Sequence, residues 1–230
     1  VPVDAFNTRI QTLQQLIVRV VERLQQREYR TQGRPKTDVA AEYPLYMAAP
    51  QAASFAVRIK IGRPTGQPSF DFVTTSSLDY EEILGDIFNG FKLINDGQED
   101  VLKAHIPDEK YFQNFIGLTR AFSPDGSTIR QIGLAYFKDG AVKRMFLRRT
   151  RANIQMPFSN ELNLRVETLK GLLKAASSLE NTIKIVPDGA KAVMIIVPDS
   201  LSDIVRLYWD KEITVQYQSK NRTNTLIKVD

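Results

Sequence analysis

The apolar residues near the start of the chain follow a helical repeat. Six of them are separated by alternating steps of four and three, with Gln, Arg and Glu between them: Phe6, Ile10, Leu13, Ile17, Val20 and Leu24. This spacing predicts an amphipathic helix from Asp4 to Tyr29, with Asp4 as its N-cap. A stripe this narrow packs on the body of its own chain, which is the commoner case, or on another subunit. In the second case a protein partner, or self-association, would involve Leu13, Ile17, Val20 and Leu24.

A connector, a strand and three helices are predicted next. Gly33 and Pro35 stop the first helix, and residues 31–53 read as an irregular connector. Period-two alternation over residues 55–61 predicts a strand with one buried face. The predicted helices run from Tyr80 to Ile94, with Ser76 and Asp79 in capping-box spacing before it and Gly97 just past its end, from Glu99 to His105, and from Pro107 to the turn at Pro124-Asp125-Gly126.

The Asp139-Gly140 dipeptide predicts a hairpin with a two-residue turn. Such a turn fixes the register of the flanking strands. On the apolar side Ile132 faces Leu147, Leu134 faces Met145 and Tyr136 faces Lys143; on the other side Gln131 faces Arg148, Gly133 faces Phe146 and Ala135 faces Arg144. Residues 1–150 are therefore predicted to form an α+β domain whose helices cover one face of a small antiparallel sheet.

A second domain is predicted over residues 151–230. Three strands, a short helix from Ser200 to Tyr208 and two more strands resemble the order of the oligonucleotide/oligosaccharide-binding (OB) barrel. Gly171 inside the long first strand would let that strand bend. A small SH3-like barrel is the alternative, and neither resemblance assigns a function.

Composition excludes several chemistries. Of the 230 residues 43% are hydrophobic and 25% are charged, as in ordinary globular proteins. The absence of Cys excludes disulfides and thiolate sites, and the single His excludes a zinc site with two histidines from this chain. No apolar run approaches the roughly 20 residues that cross a bilayer. No signal peptide is visible, and we expect a cytoplasmic protein.

The net charge of +5 permits an anionic partner, and basic residues are concentrated on one predicted face. If the first strand shares a sheet with the hairpin, four cations surround one aromatic ring on that face: Arg58, Lys60, Arg144 and Arg148 around Phe146. This combination is typical of proteins that bind single-stranded nucleic acid. The simpler interpretation is a solvated face on which Phe146 covers Gly133.

A dense basic run adds Lys143, Arg149 and Arg151 to the possible nucleic-acid contacts. Strand alternation divides the run between two faces. For Arg149 and Arg151, an ion pair with an acidic residue of the helix that follows Asp79 is expected as strongly as a contact with nucleic acid. In the second domain Trp209 is a further possible base contact, whereas Tyr217 shares its face with apolar residues and is predicted to be core.

Catalytic signals are weak. Asp108 and Glu109 follow Pro107 at a helix start, where they complement the helix dipole, and His105 is explained by a helix end or by packing. No phosphate-loop, dinucleotide-binding or Gly-x-Ser-x-Gly motif is present. No catalytic residue, metal site or cofactor is therefore predicted.

Three functional hypotheses follow. The favoured one is a non-enzymatic binding or accessory protein that acts through protein–protein interaction, as part of a larger assembly. The second is a protein that binds single-stranded DNA or RNA through the basic face and the barrel. The third is an enzyme whose site is assembled from carboxylates that are distant in sequence.

Overall fold

The computed structural model describes residues 2–30, 37–47, 59–61, 78–138, 141–157, 165–220 and 223–230. Helices and mainly antiparallel strands are mixed along these segments, which confirms the predicted α+β class. The helices are α1 (Val3–Leu24), α2 (Thr37–Glu42), α3 (Tyr80–Asp96), α4 (Glu99–His105), α5 (Glu109–Phe122) and α6 (Ser202–Arg206). The strands are β1 (Leu45–Met47), β2 (Ile59–Ile61), β3 (Ile132–Lys138), β4 (Ala141–Leu147), β5 (Arg165–Ser177), β6 (Thr182–Val186), β7 (Val193–Ile196), β8 (Glu212–Lys220) and β9 (Thr223–Val229).

The start of α1 differs from the prediction. The N-cap residue is Pro2, which offers no side-chain hydrogen bond, so Asp4 lies in the first turn. A proline is compatible with this position because it needs no N–H donor there. Asp4 therefore acts on the helix dipole rather than as the cap.

The end of α1 also differs, because the helix stops before the predicted Tyr29. Gln26 has a left-handed φ of 55°. Its N–H donates to the carbonyl of Arg23, and the N–H of Arg27 donates to the carbonyl of Glu22. This pair of bonds forms a Schellman motif, which closes the helix without the downstream glycine and proline on which the prediction relied.

The apolar stripe of α1 faces the chain's own core. Leu13, Ile17 and Val20 are 6%, 0% and 2% exposed, and Leu24 is half-buried against the same cluster. The principal neighbour of α1 is α5, and α3 packs beside it. These four residues are therefore core residues, and their assignment to a partner helix is corrected.

Side-chain caps begin α3 and α5 but not α4. Asp79 is itself the N-cap of α3, which corrects the predicted capping box that began at Ser76, a residue outside the described segments. Gly97 ends that helix as predicted, with a left-handed φ of 71°. Asp108 is the N-cap of α5, where its carboxylate accepts two backbone N–H bonds of the first turn. This capping confirms the structural role predicted for Asp108, and it places Pro107 before the N-cap rather than inside the first turn.

The β3–β4 hairpin has the register that a two-residue turn predicts. All predicted pairs within the two strands are observed: Ile132 with Leu147, Gly133 with Phe146, Leu134 with Met145, Ala135 with Arg144, and Tyr136 with Lys143. The turn residues Asp139 and Gly140 lie outside the described residues. Gln131 precedes β3, so its predicted pairing with Arg148 is not part of the ladder.

The strand predicted over residues 55–61 is described only at its end, as β2. It pairs with β1, so that Lys60 lies opposite Tyr46. Both β1 and α2 fall within the connector that was predicted to be irregular. In the described part of the chain, β1–β2 and β3–β4 are separate two-stranded sheets, so β2 does not join the hairpin there, and residues 55–58 of the predicted strand lie outside the described residues. Alternation identifies the buried face of a strand but not its partner.

The last five strands form one sheet that closes on itself. Their order is β5-β6-β7-β9-β8, and β8 pairs in turn with β5. Every pair is antiparallel except β7 with β9, which is parallel. In the chain, α6 lies between β7 and β8. We refer to this unit as the closed sheet.

Gly171 lies where β5 passes from one neighbouring strand to the other. Residues up to Leu172 pair with β8, and residues from Leu172 onward pair with β6. A Cβ atom at Gly171 would lie 2.6 Å from the carbonyl oxygen of Val186. The two backbones approach so closely that only glycine fits without a shift.

Ion pairs join α1 to both parts of the molecule. Arg23 pairs with Asp86 of α3, whose carboxylate also bonds His105 of α4 at 2.8 Å. Arg19 pairs with Asp203 of α6 at 2.6 Å, and both side chains are about one-tenth exposed. Burial lowers the pKa of Arg19, but Asp203, Tyr29 and Glu22 together outweigh it and the net pKa is raised.

The hydrophobic core continues from the helices into the closed sheet. One buried cluster contains residues from both, among them Leu16, Ile116, Leu201 and Val215. Buried residues on the two sides of residue 150 are thus in one cluster, and the domain boundary there stays a prediction. None of the described helices combines the length and apolar character needed to cross a membrane.

We expect Gly171→Ala to lower the free energy of unfolding by about 2 kcal/mol. The added methyl group would overlap the backbone of Val186, which its pairing with β5 holds in place. Gly85→Ala in α3 is the control, since a Cβ there meets no atom within 4 Å. That control should stabilise the protein by about 0.5 kcal/mol. Urea unfolding followed by circular dichroism measures both, and equal effects would contradict the close approach at Gly171.

Candidate functional site

The outward face of the β3–β4 hairpin carries alternating cationic and aromatic side chains. Along β4 and the residue after it, Arg144, Phe146 and Arg148 are exposed, while Met145 and Leu147 turn toward the helices. The Phe146 ring is 43% exposed. The predicted division of this hairpin into an apolar and a basic side is therefore observed.

A groove of about 460 Å³ opens between this face and the end of α3. It is lined by Asn95, Asp96, Arg144, Met145, Phe146, Arg148, Arg149 and Asn153. We call it the hairpin groove. Its volume is within the range of roughly 300–1,000 Å³ that is usual for small-molecule sites.

The basic residues near the groove differ in how far they are neutralised. Lys143 pairs with Glu81 of α3 at 2.8 Å, and this hydrogen bond raises the pKa of Lys143. Arg149 pairs with Glu99 at the start of α4. Arg144 and Arg148 form no ion pair with any residue that the structure describes. Two cations therefore remain available on the exposed face.

Asn95 holds the end of β4 against α3. Its Nδ2 donates to the carbonyl of Phe146 at 2.7 Å, and its Oδ1 accepts the N–H of Arg148 at 3.0 Å and that of Arg149 at 3.3 Å. These bonds satisfy backbone groups beyond the end of the strand ladder. They fix the backbone that carries two of the exposed side chains of the groove.

Phe146 has a structural contact as well as an exposed ring. A Cβ atom at Gly133 would lie 2.9 Å from its Cε1 atom, so the ring covers the glycine on the opposite strand. This is the simpler role that the sequence predicted for Phe146. One face of the ring is used in this way, and the remaining exposed surface borders the groove.

Other predicted contact residues lie elsewhere. Lys60 is on β2, whose described partner is β1, and Arg58 lies outside the described residues. Arg151 turns toward α5, where its Nη2 donates to the carbonyl of Ala121 at 3.1 Å. The predicted cluster of four cations around Phe146 is thus reduced to Arg144 and Arg148 in the described part of the molecule.

The closed sheet presents a different surface. Trp209 follows α6 and is 55% exposed, whereas Tyr217 is buried as predicted and bonds Glu167 through its hydroxyl at 2.6 Å. Met194 and Ile196 of β7 point outward, next to Thr182 and Lys184 of β6. This part of the face therefore carries two apolar side chains beside one hydroxyl and one charged side chain.

Asn95 and Asp96 were missed as groove residues. The sequence segment Asn95-Asp96-Gly97 was interpreted only as a helix stop, which Gly97 confirms. Nothing in the local sequence connects Asn95 with β4, because the two are joined only by tertiary packing. Asp96 pairs with Lys92 one turn earlier at 2.9 Å, an arrangement that i,i+4 spacing alone indicates.

Among the described residues, no three His, Asp or Glu side chains are grouped so that they could hold a metal ion. No protein-family model, no curated protein and no solved structure was found to match this chain. The functional argument therefore rests on the residues of the site.

We expect Asn95→Asp to lower the free energy of unfolding by about 1 kcal/mol, because an oxygen replaces the donor to the Phe146 carbonyl. Asn153→Asp adds the same charge to the same groove and is the matched control. Urea unfolding measures the stability, and hydrogen exchange at the Arg148 amide reports the local opening. Equal results for the two variants would show that charge, not the lost bond, is responsible.

Proposed function

We propose that this protein is a binding protein that takes single-stranded nucleic acid along the hairpin groove. The observation that carries the proposal is the alternation of Arg144, Phe146 and Arg148 on one exposed face, with no acidic partner for either arginine among the described residues. Alternating positions on a strand lie about 6.5 Å apart. Each cation is therefore one such step from the aromatic ring.

The chemistry of this face matches the two components of a nucleic-acid strand. Arginine side chains neutralise phosphates, and an exposed aromatic ring stacks on bases irrespective of their sequence. Phe137 is on the same face and is 73% exposed, which offers a second ring near the hairpin turn. Stacking requires bases that are not already paired in a duplex, so the expected ligand is single-stranded.

The proposal includes the finer fold type of the closed sheet, which we assign to the OB class. Three features support this assignment: the first strand pairs with the second and the fourth, the third pairs in parallel with the fifth, and a helix lies between the third and the fourth. They favour the OB type over an SH3-like barrel. Because a fold does not assign a function, the argument for nucleic acid rests on the hairpin.

We expect the double variant Arg144→Gln plus Arg148→Gln to weaken binding of labelled oligonucleotides in fluorescence anisotropy. For single strands, each lost phosphate contact reduces the slope of log affinity against log salt by about 0.7. The slope of the double variant should therefore be smaller by about 1.4. Single-stranded and duplex DNA and RNA are compared at several salt concentrations. We expect the single strands to bind more tightly.

The matched control is Lys170→Gln plus Lys174→Gln on β5, which removes the same net charge. These lysines already pair with Glu212 and Asp210, at 2.9 Å and 3.1 Å, so the control should bind like the unmodified protein. Phe146→Leu keeps a cover for Gly133 and should weaken binding about tenfold with an unchanged salt slope, because stacking is lost. If the arginine variant binds as tightly as the lysine variant, the hairpin groove is not the site.

A second function, protein–protein interaction, is favoured by a separate observation on the closed sheet. Met194 and Ile196 are 59% and 40% exposed on neighbouring outward positions of β7, and Leu179 in the preceding β5–β6 turn is 87% exposed. Exposed apolar side chains that lie together are common at contacts between proteins. The form we propose is self-association of the chain through this face.

We expect the sedimentation coefficient to rise with protein concentration, and Met194→Lys to suppress this rise because it places a charge in the contact. Val166→Lys is the control, since Val166 is an exposed apolar residue of β5 outside the β6–β7 face. Sedimentation velocity is the measurement. A concentration-independent monomer would rule out self-association through this face.

A further inference from the structure

Three arginine side chains meet at the end of α5. Arg9 of α1 donates from Nη2 to the carbonyl of Ser123 at 3.3 Å, and Arg151 donates from Nη2 to the carbonyl of Ala121 at 3.1 Å. Arg120, on α5 itself, donates from Nε to the backbone carbonyl of Arg151 at 3.1 Å. We call these three residues the arginine cluster.

Arg9 and Arg120 are buried, Arg151 is half-buried, and the cluster is only partly neutralised. Burial lowers the pKa of both Arg9 and Arg120, and the positive charge of Arg151 lowers it further, while Asp125 beside Arg9 and Asp230 beside Arg120 act in the opposite direction. Asp125 lies 3.6 Å from Arg9, and Asp230 pairs with Arg120. Arg151 has no carboxylate partner among the described residues. One guanidinium is therefore in excess over the carboxylates.

Several polar atoms here are buried without a hydrogen-bond partner in the described part of the chain. They are Nε of Arg9, Nε of Arg151 and the hydroxyl oxygen of Tyr208. The two Nε groups can only donate, and the hydroxyl group can also donate. Leaving such donors unpaired costs about 1–3 kcal/mol each. Tyr208 is close enough to contribute to the electrostatics of both Arg9 and Arg120.

We infer that the arginine cluster, together with Tyr208, binds a small monovalent inorganic anion such as chloride. An anion supplies acceptor capacity in several directions and balances the guanidinium that lacks a carboxylate. A water molecule would satisfy the donors less well, because its own hydrogens need acceptors. The nearby carbonyls of Ala121 and Ser123 already accept bonds from the arginines.

The size of the proposed ion follows from the burial of the site. Arg9 and Arg120 are 8% and 4% exposed, so a small ion fits between them more readily than the larger tetrahedral phosphate. Lys211, which donates to Thr8 at 3.1 Å, and Lys228, which pairs with Asp230 at 3.0 Å, keep the surrounding potential positive. A bound anion would connect the first turns of α1, the end of α5 and the last residues of the chain.

The test is thermal unfolding of the full chain in sodium chloride and in sodium gluconate, mixed at constant ionic strength. Gluconate is too large for a buried site, so a saturable rise in Tm with chloride is expected from binding to the folded state. Tyr208→Phe removes one donor without changing charge. It should raise the half-saturating chloride concentration about tenfold, the usual loss for one hydrogen bond to a charged group.

Tyr136→Phe is the matched control, because it removes a phenolic hydroxyl from β3, outside the arginine cluster. It should leave the response to chloride unchanged. Crystals grown in sodium bromide provide a readout that does not depend on a variant, with an anomalous peak expected between Arg9, Arg151 and Tyr208. Equal Tm values in chloride and gluconate, or ordered water at this position in the bromide crystals, would overturn the inference.

Discussion

The arrangement of the molecule depends on the buried ion pair between Arg19 of α1 and Asp203 of α6. Removing one partner of such a pair leaves an uncompensated charge in the interior, which typically costs about 3–5 kcal/mol. Asp203 also accepts a hydrogen bond from Asn114 of α5 at 3.4 Å. Three helices thus meet at one carboxylate, two from the helical part and one from the closed sheet. The helices α1 and α5 pack against each other beside this point, where the side chains of Arg19 and Asp203 are about one-tenth exposed.

Because α1 also packs on α3, the same core fixes the hairpin groove. Asn95 near the end of α3 binds the backbone of β4, and the side chains of β4 alternate between core and groove. A binding surface in this position rests on a helix and a strand rather than on a long loop. Rigid support of this kind keeps the spacing of charged and aromatic groups constant before a ligand arrives, which reduces the entropy lost on binding.

Local signals in the sequence predict much of the fold but only part of the site. The helix end at Gly97 and the register of the hairpin depend on residues close in sequence, and they are found as predicted. The pairing of β2 with β1 depends on contacts that periodicity does not encode. The same limit applies to charge. In the basic run Lys143 and Arg149 have acidic partners, whereas Arg144 and Arg148 have none among the described residues, and only the tertiary structure distinguishes them.

The strand β5 has a consequence for how the chain folds. Its second half pairs with β6, which follows directly, whereas its first half pairs with β8, which is made only after β6, β7 and α6. Contacts between segments distant in sequence form slowly, because loop closure must precede them. During synthesis the first half of β5 therefore remains an open edge until β8 emerges. Closure of the sheet removes that edge. The first half of β5 is therefore open to pairing with other strands during synthesis but is protected from it in the folded protein.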